Sequence, residues 1–463
     1  MMRSLIKLAV VLLVFSSAAF AQELSELDTL YESFSFDITG AGARAEGMGK
    51  AYLGVSDDVY GAGWNPAGIF EIEKPVMGIS WASLAPRGST TTTSFSDFLK
   101  TDHSGSFGAI NSLNFVAPIR IKGHPFVGSI SYTRNFDTFE EFNLTTTYEN
   151  PFLFYLSGVG FETDTLTVNN VQTGKLDGGL NSANFSFGTR LYDNFSFGIA
   201  LNVYSGKVLR EYNVINTIED YRYWDGVQIG TYNTHVTIVD TNKFSGFNVT
   251  LGFKMQGEKL DAGLIVRTPF SLNDKYERAI YVITRFNDLI EDDGTDTTYF
   301  GNNLIKYDMP FVIGAGVGYH LKENLLLAAD IEYRRFSGKK VKIRESITIN
   351  PGGDNEEVFR EMEPNWNDVF TVRTGVEYLK EQSFATIPLR AGFAYIPEPR
   401  QSIGLDMEDK TVTNIVLSAG TGLHWEQIKI DFAYSYTSSV WKDYVIESNN
   451  RNHHFNMSFT GVF

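Results

Sequence analysis

The chain contains no cysteine. That excludes a disulfide framework, a thiolate metal site and a cysteine nucleophile. Positive charge is in deficit: 39 Lys and Arg face 55 Asp and Glu, a formal net charge of -16. An acidic balance of this size argues against nucleic acid as a partner. Beyond Gln22 no run of about eighteen apolar residues occurs, so no transmembrane helix is expected. Catalytic signatures are missing too. There is no His-Glu-x-x-His and no Gly-x-Ser-x-Gly. Gly49-Lys50 is not a P-loop, because Arg44 stands where the first glycine is required. Gly40-Ala41-Gly42 fits the loose dinucleotide fingerprint but lacks a surrounding βαβ pattern. The expectation is a protein that is not an enzyme and carries no cofactor.

What is present is aromatic and glycine-rich: 36 Phe, 23 Tyr and 42 Gly against only 13 Pro. That mixture suits a β-rich protein with one lipid-facing surface. The N-terminus reads as an export signal over residues 1–21. Arg3 and Lys7 precede the apolar stretch Leu8 to Phe20, and Ala19-Phe20-Ala21 is a small-x-small cleavage site. The mature chain would start at Gln22 and leave the cytoplasm.

The mature sequence alternates apolar and polar residues in segments of about ten, the period of a strand with two unlike faces. The last segment shows it best. Phe455, Met457, Phe459, Gly461 and Phe463 share one face, and Asn456, Ser458, Thr460 and Val462 the other. A C-terminal strand ending in Phe resembles the terminal signal of outer-membrane barrels. Six hairpins with tight turns are expected, at Lys122-Gly123-His124, Asp193-Asn194, Gly257-Glu258, Lys322-Glu323-Asn324, Glu426-Gln427 and, slightly longer, between Tyr378 and Ile387. A strand near Met77 to Leu84 and the terminal strand bring the total to about fourteen, an even count that closes a barrel. The remaining connections, 85–109, 137–182, 206–245, 269–308, 336–369, 397–412 and 438–453, are long and are expected to be loops on the opposite rim.

Charges inside these segments obey the same parity. Arg120, Arg190, Lys254, Arg267, Asp330, Glu332, Arg334, Arg373, Glu377, Arg390, Lys429 and Asp431 all fall on the polar face. In a barrel that face lines the lumen, since a charge facing lipid at mid-membrane costs about 2–4 kcal/mol. Tyr132, Tyr192, Tyr204, Tyr319, Tyr333, Tyr378, Tyr395 and Trp425 lie near segment ends and are expected to form aromatic girdles. Two candidate metal groups are weak. His453 and His454 are adjacent and would point to opposite faces of a strand. Glu291, Asp292, Asp293 and Asp296 lack calcium-loop spacing and read as solvated.

Residues 22–76 break the pattern. They are rich in Gly and Ala, show no alternation, and are expected to fold inside the lumen as a plug. Here the run Gly47-Met48-Gly49, then Asp57-Asp58, then Asn65-Pro66-Ala67, resembles the hatch of FadL/TodX-type transporters. The resemblance implies a fourteen-stranded closed antiparallel barrel, residues 77–463, in the bacterial outer membrane. It implies passive uptake of hydrophobic compounds, long-chain fatty acids or aromatic hydrocarbons. Membrane lipid and a small hydrophobic ligand would then be the partners. Gly47, Gly49, Asp57, Asp58, Asn65, Pro66 and Ala67 would belong to the hatch. A first ligand groove would form between outer loops from Tyr221, Tyr223, Trp224, Phe286, Leu289, Ile290, Tyr299 and Phe300. The spelling Arg-Ala-Glu-Gly-Met-Gly and Trp-Asn-Pro-Ala-Gly also resembles the PorV/PorQ branch. That branch would make the barrel a shuttle or anchor of a protein secretion system. A transporter of this kind implies an apolar lumen pocket and a gap in the wall.

Overall fold

The computed structural model describes residues 37–93, 98–156, 160–219, 232–286, 295–348, 355–403, 409–442 and 446–463. The strands, in chain order, are β1 Val76–Thr93, β2 Phe98–Ser104, β3 Phe107–Ile121, β4 His124–Leu156, β5 Gly160–Tyr192 and β6 Phe195–Glu219. They continue as β7 Tyr232–Met255, β8 Leu260–Arg267, β9 Phe270–Phe286, β10 Thr295–Met309, β11 Val312–Lys322, β12 Leu325–Arg334 and β13 Val341–Thr348. The last are β14 Asn355–Met362, β15 Val369–Glu381, β16 Thr386–Ile403, β17 Asp409–His424, β18 Ile428–Lys442 and β19 Ile446–Val462. One short α-helix, α1 Ala43–Gly47, and two single-turn 3-10 helices, Gly61–Gly63 and Gly68–Glu71, precede them.

Fourteen of these strands close a ring. Its antiparallel order is β1, β3, β4, β5, β6, β7, β8, β11, β12, β15, β16, β17, β18, β19. The ring shuts where β19 pairs with β1, in register from Val76↔Val462 to Thr92↔Ile446. The last residue caps this seam, Phe463 N–H donating to the Pro75 carbonyl at 2.9 Å. All six tight hairpins stand where alternation placed them, because a two-faced strand fixes its register by the face it must bury.

The period-two pattern sorts the side chains. Phe455, Met457 and Phe459 are exposed, while Asn456, Ser458 and Thr460 are buried. Exposed Met77, Ile79, Leu113, Phe115, Phe185, Ile199, Leu201, Phe247, Ile313, Leu327, Phe370, Leu389, Leu417 and Phe432 continue the same outward surface around the ring. Exposed apolar faces continuing around the ring strands are unfavourable in water and are the lipid-facing band of a membrane barrel. Lys254, Asp330, Glu332, Arg334, Arg373, Glu377, Arg390 and Asp431 are buried on the other face. Tyr192, Tyr319, Tyr378 and Trp425 are exposed at or near strand ends, as a girdle requires, and Tyr395 is exposed mid-way along β16. Tyr204 is a correction. It follows outward-facing Val203, so parity turns it inward, and it is buried against Phe270 with ring centroids 5.2 Å apart.

The long connections are a second correction. Much of 137–182 and 206–245 is not loop but strand. β4 and β5 stay paired as far as Leu156↔Gly160, and β6 and β7 as far as Ile218↔Tyr232. At 33 residues each, β4 and β5 far exceed the 9–11 residues a membrane crossing needs. Thr, Val and Ile continue the pleated pattern beyond the lipid band, with polar residues taking over the outward face. On the other side β9 continues β8 after Thr268-Pro269, and β10 leads into β11 through Pro310-Phe311. Proline has no N–H for the ladder, so each strand breaks there. β9 then pairs with β7 and β10, and β10 with β13.

Candidate functional site: the interior of the barrel

Residues 37–75 are compact because small residues let backbone meet backbone. Gly49 adopts φ +63, and a Cβ there would stand 2.5 Å from the Phe393 amide nitrogen on β16. A Cβ on Gly392 would collide with the Gly49 backbone. Gly47 lies against Gly420 of β17 in the same manner. These contacts bring the segment against inward-facing residues of most ring strands. The Gly49 amide donates to Ser418 Oγ at 2.9 Å, and the Ala43 amide to Ser458 Oγ at 2.8 Å. Ser196 Oγ on β6 donates to the Ala67 carbonyl at 3.0 Å. Asn65 is fully buried. Its Nδ2 donates to the carbonyls of Leu53 and of Phe253 on β7, each at 3.0 Å, and its Oδ1 accepts from the Ala67 amide at 3.1 Å. Pro66 packs between Gly198 and Gly252.

Charge holds the opposite wall. Arg44 of α1 lies against Glu377 of β15 in a two-pronged pair, Nε to Oε2 at 3.0 Å and Nη2 to Oε1 at 2.9 Å. Its Nη1 bonds Asp57 and reaches the Tyr52 hydroxyl at 3.2 Å. Tyr52 in turn donates to Asp58 at 2.6 Å. Glu377 also accepts from Arg390 Nε at 2.6 Å, and Arg390 Nη1 donates to Asp431 at 2.7 Å. A second group joins Asp37 to Arg334 at 2.5 Å and to Arg373 at 3.0 Å. Asp330 of β12 accepts from the backbone amides of Tyr52 and Leu53 at 2.6 and 2.9 Å. Buried charges are tolerated only when paired or hydrogen-bonded. Here Arg334, Arg373, Glu377, Arg390 and Asp431 each meet an opposite charge, and Asp330 is held by the two segment amides. His454 lies 3.4 Å from Glu46, whereas His453 bonds the Tyr434 hydroxyl, the opposite facing expected of adjacent strand residues.

All seven residues expected in the hatch therefore meet in this interior. Arg44, Glu46 and Asp330 were not singled out as a set, because pairing across hundreds of residues leaves no local signal. The parity of Glu377, Arg390 and Asp431 was the available hint. The proposed outer groove fares differently. Tyr221, Tyr223, Trp224, Leu289 and Ile290 lie outside the described residues. Phe286 sits on β9 opposite Tyr232, and Tyr299 and Phe300 sit on β10 opposite Ile280 and Ala279. These three are strand residues, not loop residues.

A small polar cavity and a packed apolar cluster lie beyond the segment. The cavity, of about 20 Å³, opens between Ile38, Thr39, Gly40, Ala62 and Gly63 and the wall residues Thr133, Asn135, Ser182, Asn184, Asn202, Tyr204, Thr250 and Arg267. Its wall is mostly amide and hydroxyl, which corrects the expectation of an apolar pocket at this level. Farther out, Leu180, Tyr204, Val208 and Phe244 of β5–β7 share an apolar cluster with Leu272, Tyr276, Ile305, Tyr307, Val341 and Ile343 of β9, β10 and β13. Phe336, Trp366 and Val369 belong to it, and Ile38 is its contact with the N-terminal segment. Most ring strands are paired on both sides through the lipid band, but β3–β4 pairing ends at Ser112↔Thr133. That leaves Phe107–Asn111 of β3 unpaired toward β4, beside irregularities at Ser80/Trp81 and Arg134/Phe136.

A family model described as BamG matches residues 153–448, well over half of the chain. The chain belongs to the BamG family. No curated protein matches this BamG-family chain in sequence. Its fold is similar to the Pseudomonas putida toluene transporter TodX, at 13% identity and a TM-score of 0.61 over 92% of this chain and 99% of that one. It is similar to a Pseudomonas aeruginosa FadL homologue at 13% identity and TM-score 0.56, covering 93% and 100% of the two chains. The Ralstonia pickettii toluene transporter TbuX gives 15% identity and TM-score 0.55, with 93% and 100% covered. At such identities the likeness is one of fold: this BamG-family barrel is built like those channels.

Proposed function

We propose that the protein lets small hydrophobic compounds, long-chain fatty acids or aromatic hydrocarbons, cross the bacterial outer membrane by passive diffusion. The observation that carries this reading is the inward-facing apolar cluster of Phe244, Leu272, Tyr307 and Trp366, which ends on Ile38 of the N-terminal segment. A ligand entering between β5–β7 and β9–β10 would gain roughly 25 cal/mol for each Å² of apolar surface buried. Contact at Ile38 would bias residues 22–76, acting as a hatch, toward a displaced arrangement. Displacement requires that ligand bind that arrangement more tightly than the seated one. The polar cavity beside Gly40 and Gly63 would hydrate the hatch as it moves. Fluorinated aromatic or fatty-acid probes, titrated into the purified full-length barrel, test this by 19F NMR. Saturable binding that Phe244→Arg abolishes supports transport, and absence of binding by both probe classes overturns it.

A second reading has its own observation. The Arg44–Glu377, Arg390–Asp431 and Asp37–Arg334 pairs and the Gly49–Gly392 contact hold the interior shut. A permanently closed barrel would suit a PorV/PorQ-like shuttle or anchor for secreted proteins. Purification from native membranes separates the two. Hydrophobic ligand near one equivalent favours transport, and stoichiometric protein partners on a ligand-free barrel favour the anchor.

A further inference from the structure

Above the lipid band, one sector of the outer surface is basic in a chain that is acidic as a whole. Lys207 on β6 lies directly opposite Lys243 on β7, and Lys243 directly opposite Lys275 on β9. On the next strand, β10, Lys306 lies directly opposite Lys342 of β13. All five lysines are exposed. All five point outward, since inward parity on these strands is held by buried Val208, Asn242, Asp274, Ile305 and Ile343.

Like charges placed directly across a sheet destabilise it unless a counter-charge is supplied. The protein supplies little. Lys243 pairs with Glu277 at 2.7 Å, and Lys342 stands 4.0 Å from Glu361. Among the described residues, Lys207, Lys275 and Lys306 have no ion pair. Height is the second observation. Lys207 comes four residues after exposed Val203, and Lys243 four residues before exposed Phe247. That is about 13 Å along the strand from those lipid-facing side chains. A tilted strand brings this to the headgroup level, and lysine reaches farther by extending along the wall.

We propose that this row is a binding site for phosphate-bearing lipid headgroups of the outer leaflet, with Lys207, Lys243 and Lys275 as its centre. Three ammonium groups on adjacent strands, spaced by the 4.7–4.9 Å of a sheet, suit a lipid carrying more than one phosphate. The site rests on the barrel spanning a membrane, and not on what passes through it. The ligand holds β6, β7 and β9 together from outside, on the wall whose inner face forms the apolar cluster.

The test uses the full-length protein in nanodiscs of phosphatidylcholine doped with bisphosphorylated lipid A, with retained lipid counted by native mass spectrometry. Lys207→Gln, Lys243→Gln and Lys275→Gln together should lower retained lipid A at least fivefold. The control, Lys122→Gln, Lys322→Gln and Lys380→Gln on the short-turn rim, should retain it. A heat-shifted band on gels confirms that each variant is a folded barrel, so loss of insertion is read separately. Equal retention by the row variant and the wild type would overturn the proposal, as would equal loss in the control. Inorganic pyrophosphate at millimolar concentration should not displace the lipid. If it did, the row would be a site for free phosphates, not for a lipid.

Discussion

Arg44 and Glu377 form a two-pronged ion pair across 333 residues of chain, between a five-residue helix and the wall that surrounds it. Glu377 also serves Arg390, so one carboxylate balances two guanidinium groups. Neutralising it leaves both buried cations short of a partner. Glu377→Gln should weaken seating of the N-terminal segment by about 3–5 kcal/mol, the usual cost of breaking a buried pair from one side. Limited proteolysis within residues 37–72, with the barrel still heat-shifted on gels, checks this. Unchanged protection would show that the pair does not hold the segment.

The glycine contact makes a steric prediction. Gly392→Val puts three carbons where the Gly49 backbone lies. No rotamer avoids a backbone clash, so the segment must leave its seat near α1. Single-channel recording should then show conductance in the variant, where the wild type stays closed.

The apolar cluster predicts a stability effect. Trp366 and Phe336 meet edge to face, with centroids 5.8 Å apart, and both are buried. Trp366→Ala should cost about 3–5 kcal/mol locally, through lost burial and the cavity left behind. Amide exchange in β13 and β14 is the readout, and exchange at the wild-type rate would place little weight on this packing.

Asp274 predicts a pH dependence. It is fully buried on β9, and burial pushes its carboxyl up to about 6, against bonds from Asn242 and the Lys243 amide. Its unfolded value is near 3.8. The folded form therefore holds its proton more tightly, and this contribution is present below about 4 and lost as pH rises through 6. The shift corresponds to on the order of 3 kcal/mol. Exchange in β9, corrected for intrinsic rate, should accelerate between pH 4 and 7 in the wild type. It should stay flat in Asp274→Asn. The same slope in both would assign the effect to another group.

The ring was legible in the sequence because its cause is local. Phe455 to Phe463 alternate by lipid and lumen, and each short turn carries its own turn residues. Long strands such as β4 and β5 were not legible, because beyond the lipid band the outward face is polar and the two faces no longer differ in the expected sense. Proline breaks at Pro269 and Pro310 were visible as residues, but the same break can end a strand or merely kink it. The interior was half legible. Parity turned Glu377 and Arg390 inward, and the Gly-Met-Gly and Asn-Pro-Ala runs marked the segment they would meet. Which charge met which depended on the order of strands around the ring, a long-range property that no window of sequence contains.

The β1–β19 seam has a consequence for biogenesis. Ala43 bonds Ser458 of the final strand, and the Tyr60 hydroxyl bonds backbone carbonyls on both sides of the seam, Ile79 at 3.0 Å and Phe459 at 3.1 Å. An early segment of the chain is thus enclosed by the strand farthest from it in sequence. The ring cannot shut until β19 has been delivered, and the segment must already be waiting inside when it does. A barrel lacking β19 would be an open sheet with that segment unsheltered, so arrival of β19 is inspected by the act of closure itself.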